Sequence, residues 1–328
     1  MKTLATSKPT TAPPPSTPNR RIAYGHATVP LFRSGTVSRQ DARRTSTSLP
    51  STPLFGSPGP EQKPSFNALD ERVDHRTIES FYDQNGTQYS DRRIHTGLLF
   101  NDYIEQPALI SLFREVEQHA PIDRVLDIGC GPGVYAKYMA QAGKSVVALD
   151  ISSVMVNCAR DFCAHELAAE HYRNVQFLHN SFEAYEADSG DFSLILATFM
   201  LSYFSDLGWF FRKIAGMLRS DGKVIASMLH PVRMFGTIVR QPHSEYYAVS
   251  DYFSNGYYGS DFMDDNNVLR LKRWNMQDVT AATFDSGLVV DRVLEPRLEV
   301  APPHSAEAVT FYEHNPSIVV FMLGKRRV

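Results

Sequence analysis

A short apolar run in the segment "RVLDIGCGPGVYAKY" is followed by three glycines at alternate positions. They are Gly129, Gly131 and Gly133. Glycine allows a backbone to turn sharply and allows another group to approach it closely. Asp127 directly precedes this turn, and a second apolar run, "SVVALD", ends at Asp150. Carboxylates repel a pyrophosphate and attract a cationic group, so these residues predict a site for a small ligand that carries an ammonium group.

The nearest alternative is a dinucleotide site, which also places a glycine-rich turn after a first strand. Its spacing is G-x-G-x-x-G, so that a pyrophosphate meets the N-terminus of the next helix. Here the third glycine comes one residue early, and an acid stands directly before the turn. The spacing therefore favours the cationic ligand and leaves a nicotinamide-dependent oxidoreductase as a third-ranked hypothesis.

Alternating strands and helices position this turn. Strands are predicted at 124–128, 145–150, 175–179, 192–198 and 223–229, and helices at 134–141, 153–169 and 206–218. Helices are also predicted at 75–84 and 106–118, and a helix and two strands close the chain. Nearly continuous apolar strands that alternate with helices are typical of a parallel sheet covered on both faces. Such a doubly wound α/β domain binds its ligand at the carboxyl ends of the strands.

The composition divides the chain into two predicted parts. Residues 1–70 are rich in Pro, Ser and Thr, which predicts a disordered arm, with an organelle transit peptide as the alternative. Residues 71–328 are predicted to form one domain. Within it, residues 231–273 are aromatic, dotted with glycine and without a clear period. This block predicts an irregular insertion that caps the substrate side of the sheet.

Charge and cysteine usage exclude several classes of protein. Residues 1–60 carry eight Lys or Arg against Asp41 alone, which leaves 25 basic and 35 acidic residues in the remainder. An acidic domain is a poor partner for a nucleic acid backbone. The three cysteines lack the paired spacing of a zinc site, and no metal is predicted. Without a membrane-length apolar stretch or a secretory signal, we expect a cytoplasmic monomer or homodimer that binds no membrane.

Several motifs resemble one family in order. "VLDIGCGPG" is similar to the first motif of class I S-adenosylmethionine-dependent methyltransferases, and "VVALDIS" resembles their second motif. "DFSLILATFMLSYF" and the final "IVVFMLGKR" look like the family's fourth and last strands. The resemblance covers residues 75–328 apart from the insertion. It implies a Rossmann-like methyltransferase fold, namely a mostly parallel seven-stranded sheet with an antiparallel last strand, and S-adenosyl-L-methionine as the cofactor.

The resemblance also implies which residues hold that cofactor. Asp127 and the turn meet the methionine end, with Cys130 as a small buried filler within the turn. Asp150 binds the ribose hydroxyls. Ile151 and Phe182 lie at the adenine, and Ser181 stands in place of the family's usual Asp at the adenine amino group. Ala197 and Thr198, which end the fourth strand, offer backbone groups near the cofactor's methionine end.

The methyl acceptor is expected beside the ends of the fourth and fifth strands. His230, in "SMLHPVR", is the candidate catalytic base or orienting group, with a loop hydrogen bond as the alternative. Aromatic residues are predicted to wall the acceptor pocket, although they could instead form a satellite core or a dimer face. These residues are Tyr203, Tyr246, Tyr257 and Tyr258, while Tyr82 and Tyr89 are expected to close over the cofactor.

Two functions follow from these patterns. The first is a methyltransferase (EC 2.1.1.-) that moves the methyl group of S-adenosylmethionine to an oxygen or nitrogen of a small-molecule acceptor. The second is a methyltransferase-like scaffold that binds the cofactor without catalysis. The intact acids and glycines argue against lost cofactor binding.

Overall fold

The computed structural model describes residues 73–241, 244–254, 256–260, 269–300 and 306–326. The predicted arm, residues 1–70, lies outside these ranges. The described residues all belong to one compact unit, Ser51–Val328. Within the described ranges no helix combines the length and the apolar character that crossing a bilayer requires.

The chain alternates between helices and strands in the predicted order. The helices are α1 His75–Asp91, α2 Gln106–His119, α3 Val134–Gln141, α4 Ser153–Glu166, α5 Ala169–Tyr172, α6 Leu207–Met217, α7 Pro231–Met234, α8 Met276–Asp285 and α9 Ala306–His314. The strands are β1 Arg124–Ile128, β2 Ser145–Asp150, β3 Val175–His179, β4 Phe192–Ala197, β5 Leu218–Leu229, β6 Gly236–Gln241, β7 Ser244–Val249, β8 Tyr257–Ser260, β9 Leu269–Lys272, β10 Leu288–Leu294 and β11 Ile318–Lys325. Two π-helical segments, Arg92–Thr96 and Leu99–Glu105, connect α1 to α2.

Seven strands form one sheet in the order β3-β2-β1-β4-β5-β11-β10. β1 pairs in parallel with β2 and β4, and β11 pairs antiparallel with both of its neighbours. The predicted doubly wound sheet with an antiparallel last strand is confirmed. Its strand order reverses direction between β1 and β4, and a crevice opens there at the carboxyl ends of the strands.

Local capping chemistry explains where the helices begin. The side chain of Asp74 accepts a hydrogen bond from the Arg76 N–H at the start of α1, and Ser152 accepts from the Met155 N–H at the start of α4. Such caps satisfy backbone donors that a helix leaves unpaired in its first turn. The start of α4 is thereby fixed just beyond the carboxyl end of β2.

The insertion is more regular than the sequence predicts. β6 and β7 form one antiparallel hairpin, and β8 and β9 form a second one. The prediction of an irregular block over 231–273 is therefore wrong for its described residues. Most residues of β6 and β7 are exposed or half-buried on both faces, so the strands need no alternation of apolar and polar residues. That is why no period was visible.

α3 packs against α4 directly after the glycine turn. Gly133 precedes α3 with a φ of 82°, and a Cβ placed on it would lie 3.0 Å from the Ala159 Cβ and 3.2 Å from the Ala159 Cα. Ala159 is fully buried. Gly133 therefore combines a left-handed backbone with a helix contact that leaves no room for a side chain.

We predict that Gly133→Ala lowers the free energy of unfolding by more than Gly143→Ala does. Gly143 has a similar φ of 78°, but no atom lies within 4 Å of its Cβ position, so it controls for backbone strain alone. The control should cost about 1–2 kcal/mol, and Gly133→Ala should cost more because α3 must move away from α4. Urea unfolding of both variants measures the difference. Equal losses would mean that the close approach contributes nothing.

Candidate functional site

A cavity lies at the carboxyl ends of the parallel strands, between the sheet edge and α1. Its volume is about 820 Å³ with the open mouth included. This falls within the range of about 300–1,000 Å³ that is usual for small-molecule sites. α1, the turn after β1, the start of α4 and the segment after β4 all contribute to its wall.

The glycine turn forms the floor of this cavity. Gly129 and Gly131 line it, with φ values of 68° and 54°. A Cβ on Gly129 would lie 2.3 Å from the Met200 sulfur, so this position has no room for a side chain. Gly131 is open on its cavity side, since the nearest atom to its Cβ position is Arg93 Nη1 at 3.9 Å. A ligand can therefore reach the backbone at Gly131.

Cys130 lies between these glycines and does not line the cavity. It is buried, and its thiol donates a weak hydrogen bond to the Gly131 carbonyl oxygen at 3.6 Å. Burial raises the pKa of the thiol well above its usual value, so it stays protonated. This arrangement supports the interpretation of Cys130 as a buried filler.

Asp127 lies at the end of β1, underneath the turn. Its side chain is fully buried, and neither carboxylate oxygen has a hydrogen-bond partner among the described residues. Burial raises the pKa of Asp127 to about 7, with the Arg93 charge opposing this shift and the Asp150 charge adding to it. A buried carboxylate without a partner is costly, and a cation nearby would relieve that cost.

Asp150 ties the end of β2 to the glycine turn and lines the cavity. Its Oδ2 accepts a hydrogen bond from the Gly131 N–H at 2.9 Å, and its Oδ1 accepts from the Ser152 N–H at 2.9 Å. Burial raises the pKa of Asp150 to about 6, although both backbone bonds lower it. A carboxylate has about four acceptor positions, so two remain for ligand hydroxyls.

Arg93 is the functional candidate that the sequence did not reveal. It lies in the first π-helical segment, lines the cavity with its side chain buried, and has its Nε 3.5 Å from Asp102 Oδ1. One terminal nitrogen, Nη2, has no hydrogen-bond partner among the described residues. A guanidinium with an unused N–H donor beside an open glycine turn suits a carboxylate. No local pattern could have found Arg93, because its place depends on how α1 packs.

The predicted adenine residues lie in two groups. Ile151, Phe182 and Asn180 line the cavity beyond Asp150. Ser181 does not line it, and its hydroxyl accepts a hydrogen bond from the Ala184 N–H at 3.2 Å. The polar side chain that borders the cavity at this position is therefore that of Asn180.

The end of β4 supplies the opposite wall. Thr198 lines the cavity together with Phe199 and Met200, whereas Ala197 is fully buried in the sheet. Phe199 has a left-handed backbone with a φ of 57°, which is uncommon for a bulky residue. The 3₁₀ turn Leu201–Tyr203 follows directly and carries Tyr203 into the wall.

His230 does not lie on the cavity wall. Its Nδ1 accepts a hydrogen bond from the Val232 N–H at 3.1 Å, which caps the start of α7, so its Nε2 donates to Glu295 Oε1 at 2.7 Å. Burial lowers the pKa of His230, and Glu295 opposes that shift. Both ring nitrogens are thus engaged. The geometry disagrees with the predicted role of His230 as a base and matches the alternative of a loop hydrogen bond.

Of the four tyrosines predicted for the acceptor, the described cavity wall includes Tyr203. Its hydroxyl lies 2.5 Å from the hydroxyl of Tyr82 on α1, and Tyr89 lines the cavity from the same helix. Burial raises the pKa of Tyr258 to about 12, and that side chain packs with the core residues beneath α1. The other two also lie in the hairpins and do not line the cavity. These are Tyr246, which is 42% exposed, and Tyr257, whose ring faces Arg270 and Lys272.

Polar side chains of α1 join this helix to the loop after β3 and to the start of α4, near Asp150. His75 Nε2 lies 3.1 Å from Glu183 Oε1, and Asp83 Oδ1 accepts a hydrogen bond from the Ser152 hydroxyl at 2.6 Å. Asp83 also accepts from the Val154 N–H at 3.3 Å. Ile78, Tyr82 and Tyr89 on α1 line the cavity, and His75 borders it on the same face. α1 is therefore fixed as the cover of the site by contacts with the loop after β3 and with the start of α4.

Comparison with known proteins adds independent evidence. Residues 125–222 match a family model described as a methyltransferase domain. The chain is 28% identical over 172 residues, 52% of its length, to a malonyl-[acyl-carrier protein] O-methyltransferase from Pseudescherichia vulneris. It is 26% identical over 130 residues, 39% of its length, to a ubiquinone biosynthesis O-methyltransferase from Bartonella tribocorum. These matches span 62% and 51% of the length of the two relatives.

A solved structure shares the fold. An S-adenosylmethionine-dependent methyltransferase from Mesorhizobium loti superimposes with a TM-score of 0.54 at 19% identity, covering 64% of this chain and 96% of that one. At this identity the likeness concerns the fold alone.

The residues of the cavity fit S-adenosylmethionine. Asp150 offers acceptors to vicinal hydroxyls, Ile151 and Phe182 offer apolar surfaces to a planar base, and Arg93 offers donors to a carboxylate. The unpartnered charge of Asp127 suits a cationic ligand. The sequence motifs, the matched domain and the sheet order agree with one another: residues 125–222 are similar to a methyltransferase domain, and the described residues have a Rossmann-like methyltransferase fold.

Proposed function

We propose that this protein transfers the methyl group of S-adenosylmethionine to an oxygen or nitrogen atom of a small-molecule acceptor. The observation that carries the proposal is the cavity itself. It brings Asp150, Arg93 and the glycine turn together at the switch point of the sheet, above the unpartnered carboxylate of Asp127. The charge of Asp127 at this floor disfavours a dinucleotide pyrophosphate.

Different residues are proposed to bind different parts of the cofactor. Asp150 would bind the ribose hydroxyls, with Ile151 and Phe182 against the adenine. Arg93 would bind the carboxylate of the methionine moiety, and the charge of Asp127 would act on its cationic groups. The bound cofactor supplies an activated methyl group, so the chain needs only to orient the acceptor and to exclude water.

The acceptor is proposed to approach from the side of Tyr203. Tyr82 and Tyr203 place two hydroxyls on the wall there, and burial raises the pKa of both groups, so they serve as neutral hydrogen-bonding groups. Because both nitrogens of His230 are engaged, we do not propose His230 as a base. An acceptor with an available lone pair at neutral pH, such as an ionised oxygen acid or a neutral amine, fits these conditions. Both relatives are named O-methyltransferases, which supports oxygen.

We predict that Asp150→Asn weakens the binding of S-adenosylhomocysteine about 10- to 100-fold, since hydrogen bonds to a charged group contribute about 1.5–3 kcal/mol. Titration calorimetry on the folded variant measures this change. Asp161→Asn is the matched control, because Asp161 is an exposed carboxylate on α4. Unchanged affinity in Asp150→Asn would remove Asp150 from the site.

We predict that the affinity of the protein for S-adenosylhomocysteine increases as the pH rises from 5.5 to 8. The pKa of Asp150 is about 6 and that of Asp127 about 7 in the free protein, and both carboxylates attract a cation only when ionised. Both values lie above the value of 3.8 expected for the unfolded chain, so the stability of the free protein decreases as the pH rises from about 4 to about 7. Calorimetry across this range checks the trend, and Asp127→Asn should flatten its upper part. A constant affinity would contradict the proposed electrostatics.

Methyl transfer itself distinguishes an enzyme from a binding scaffold. We expect label from methyl-tritiated S-adenosylmethionine to pass to a small molecule in an extract of the source organism, and Asp150→Asn to reduce this transfer in proportion to its loss of affinity. If the wild-type chain binds the cofactor with no transfer under any condition, the scaffold is the correct function.

A further inference from the structure

A buried carboxylate outside the proposed cofactor contacts connects two walls of the cavity. Glu105, at the end of the second π-helical segment, is fully buried. One oxygen, Oε2, accepts a hydrogen bond from the Tyr135 hydroxyl at 3.0 Å, and the other accepts from the Ser227 hydroxyl. Burial raises the pKa of Glu105 to about 7, while both hydroxyls and the Arg93 charge lower it. A buried charge of this kind is costly unless hydrogen bonds and a nearby opposite charge offset its desolvation.

The Ser227 hydroxyl extends this connection to the segment after β4. Ser227 lies on β5 and is fully buried. Its hydrogen is donated to Glu105, so its oxygen is available to accept, and it accepts from the Phe199 N–H at 2.8 Å. The orientation of the Ser227 hydroxyl is therefore fixed by two hydrogen bonds: it donates one to a carboxylate and accepts one from a backbone amide.

The hydrogen bonds from Glu105 through Ser227 end at Phe199, whose backbone conformation is strained. Its left-handed backbone costs a non-glycine residue about 1–2 kcal/mol, and such strain persists only where the surroundings enforce it. The other non-glycine residue with a positive φ in the described ranges is Asp251, which lies in an exposed turn of the insertion. Phe199 lines the cavity, and its neighbour Met200 packs against Gly129. The conformation of Phe199 thus shapes the contact between the two walls.

Tyr135 provides the other end of the connection. It lies in the first turn of α3, directly after the glycine turn, and its buried ring is in contact with the Arg93 guanidinium, 5.5 Å from the ring centroid. One carboxylate therefore bonds to the element that follows the glycine turn and, through Ser227, to the element that follows β4. Between these elements lies the part of the cavity proposed for the methionine moiety.

We propose that Glu105 and Ser227 are positioning residues. They hold Phe199 in its left-handed conformation and fix the wall after β4 relative to the glycine turn, so that the cofactor's methionine moiety meets a preformed site. This inference rests on the proposed function, because the site that it preforms is the cofactor site. It assigns a role to two residues that do not line the cavity.

The test is a double-mutant cycle between positions 227 and 199. Ser227→Ala should weaken the binding of S-adenosylhomocysteine about tenfold, because the Phe199 N–H then loses its buried acceptor. In the Phe199→Gly background the same substitution should change affinity by less than about twofold, because glycine adopts the left-handed conformation without strain. Calorimetry measures all four proteins below their melting temperatures. Equal losses in both backgrounds would overturn the inference.

Ser193→Ala is the matched control. Ser193 is a buried serine on β4 whose hydroxyl accepts from the Arg124 N–H and donates to the Arg124 carbonyl, at the opposite end of the sheet from the cavity. It should lower the melting temperature and leave the affinity unchanged. If Ser193→Ala weakens binding as much as Ser227→Ala does, the effect reflects general destabilisation and the inference is wrong.

Two further measurements separate the inference from the proposed function. Hydrogen exchange of the Phe199 amide in the ligand-free protein should accelerate in Ser227→Ala and in Glu105→Gln, and the second variant serves if the first does not fold. A wild-type chain that binds no S-adenosylhomocysteine would refute the proposed function and the inference with it. A wild-type chain that binds while Ser227→Ala binds equally well would refute the inference alone.

Discussion

Burial of negative charge around a single guanidinium is the constraint on which the site depends. The carboxylates of Asp102, Glu105 and Asp127 each interact with the Arg93 charge, and Asp150 adds its own charge beside Asp127. Burial raises the pKa of every one of these acids, which means that the folded chain holds them at a cost. Arg93 compensates only part of this charge. A ligand that carries positive charge, as a sulfonium and an ammonium do, completes the balance.

The sheet and α1 contribute to the site in different ways. β1 and β2 place Asp127 and Asp150 through backbone geometry, with hydrogen bonds that run between adjacent elements. α1 is held by side-chain contacts, such as those of Asp83 with Ser152 and Val154, at the rim of the cavity. Exposed ion pairs such as that of His75 with Glu183 contribute little, about 0–1 kcal/mol. α1 also buries Ile78 and Phe81 against β9, so apolar packing contributes more than these ion pairs to holding the cover in place.

The sequence could predict those features that depend on neighbouring residues. The glycines, Asp127 and Asp150 follow directly from the strands that end beside them, and the apolar strands themselves predict the sheet. Arg93 could not be predicted, because its distance from Gly131 depends on the packing of a helix and a π-helical segment that have no distinctive pattern. For His230 the sequence predicts the position of the residue but not the hydrogen bonds of its side chain. Its position at the end of β5 was predicted, but the turn imposed by Pro231 directs Nδ1 to the Val232 amide and away from the cavity.

The hydrogen bonds of Glu105 likewise depend on the packing of distant segments and not on neighbouring residues in the sequence. Glu105 and Ser227 lie 122 positions apart in the chain, and each is unremarkable within its own segment. Only the folded sheet brings them together, and only the φ of Phe199 shows that their hydrogen bonds act on a strained residue. Strain at a site is maintained by rigid surroundings, and a rigid wall spares a ligand the entropy of ordering it. A carboxylate that is costly to bury is thus consistent with a cavity whose shape is set before the cofactor arrives.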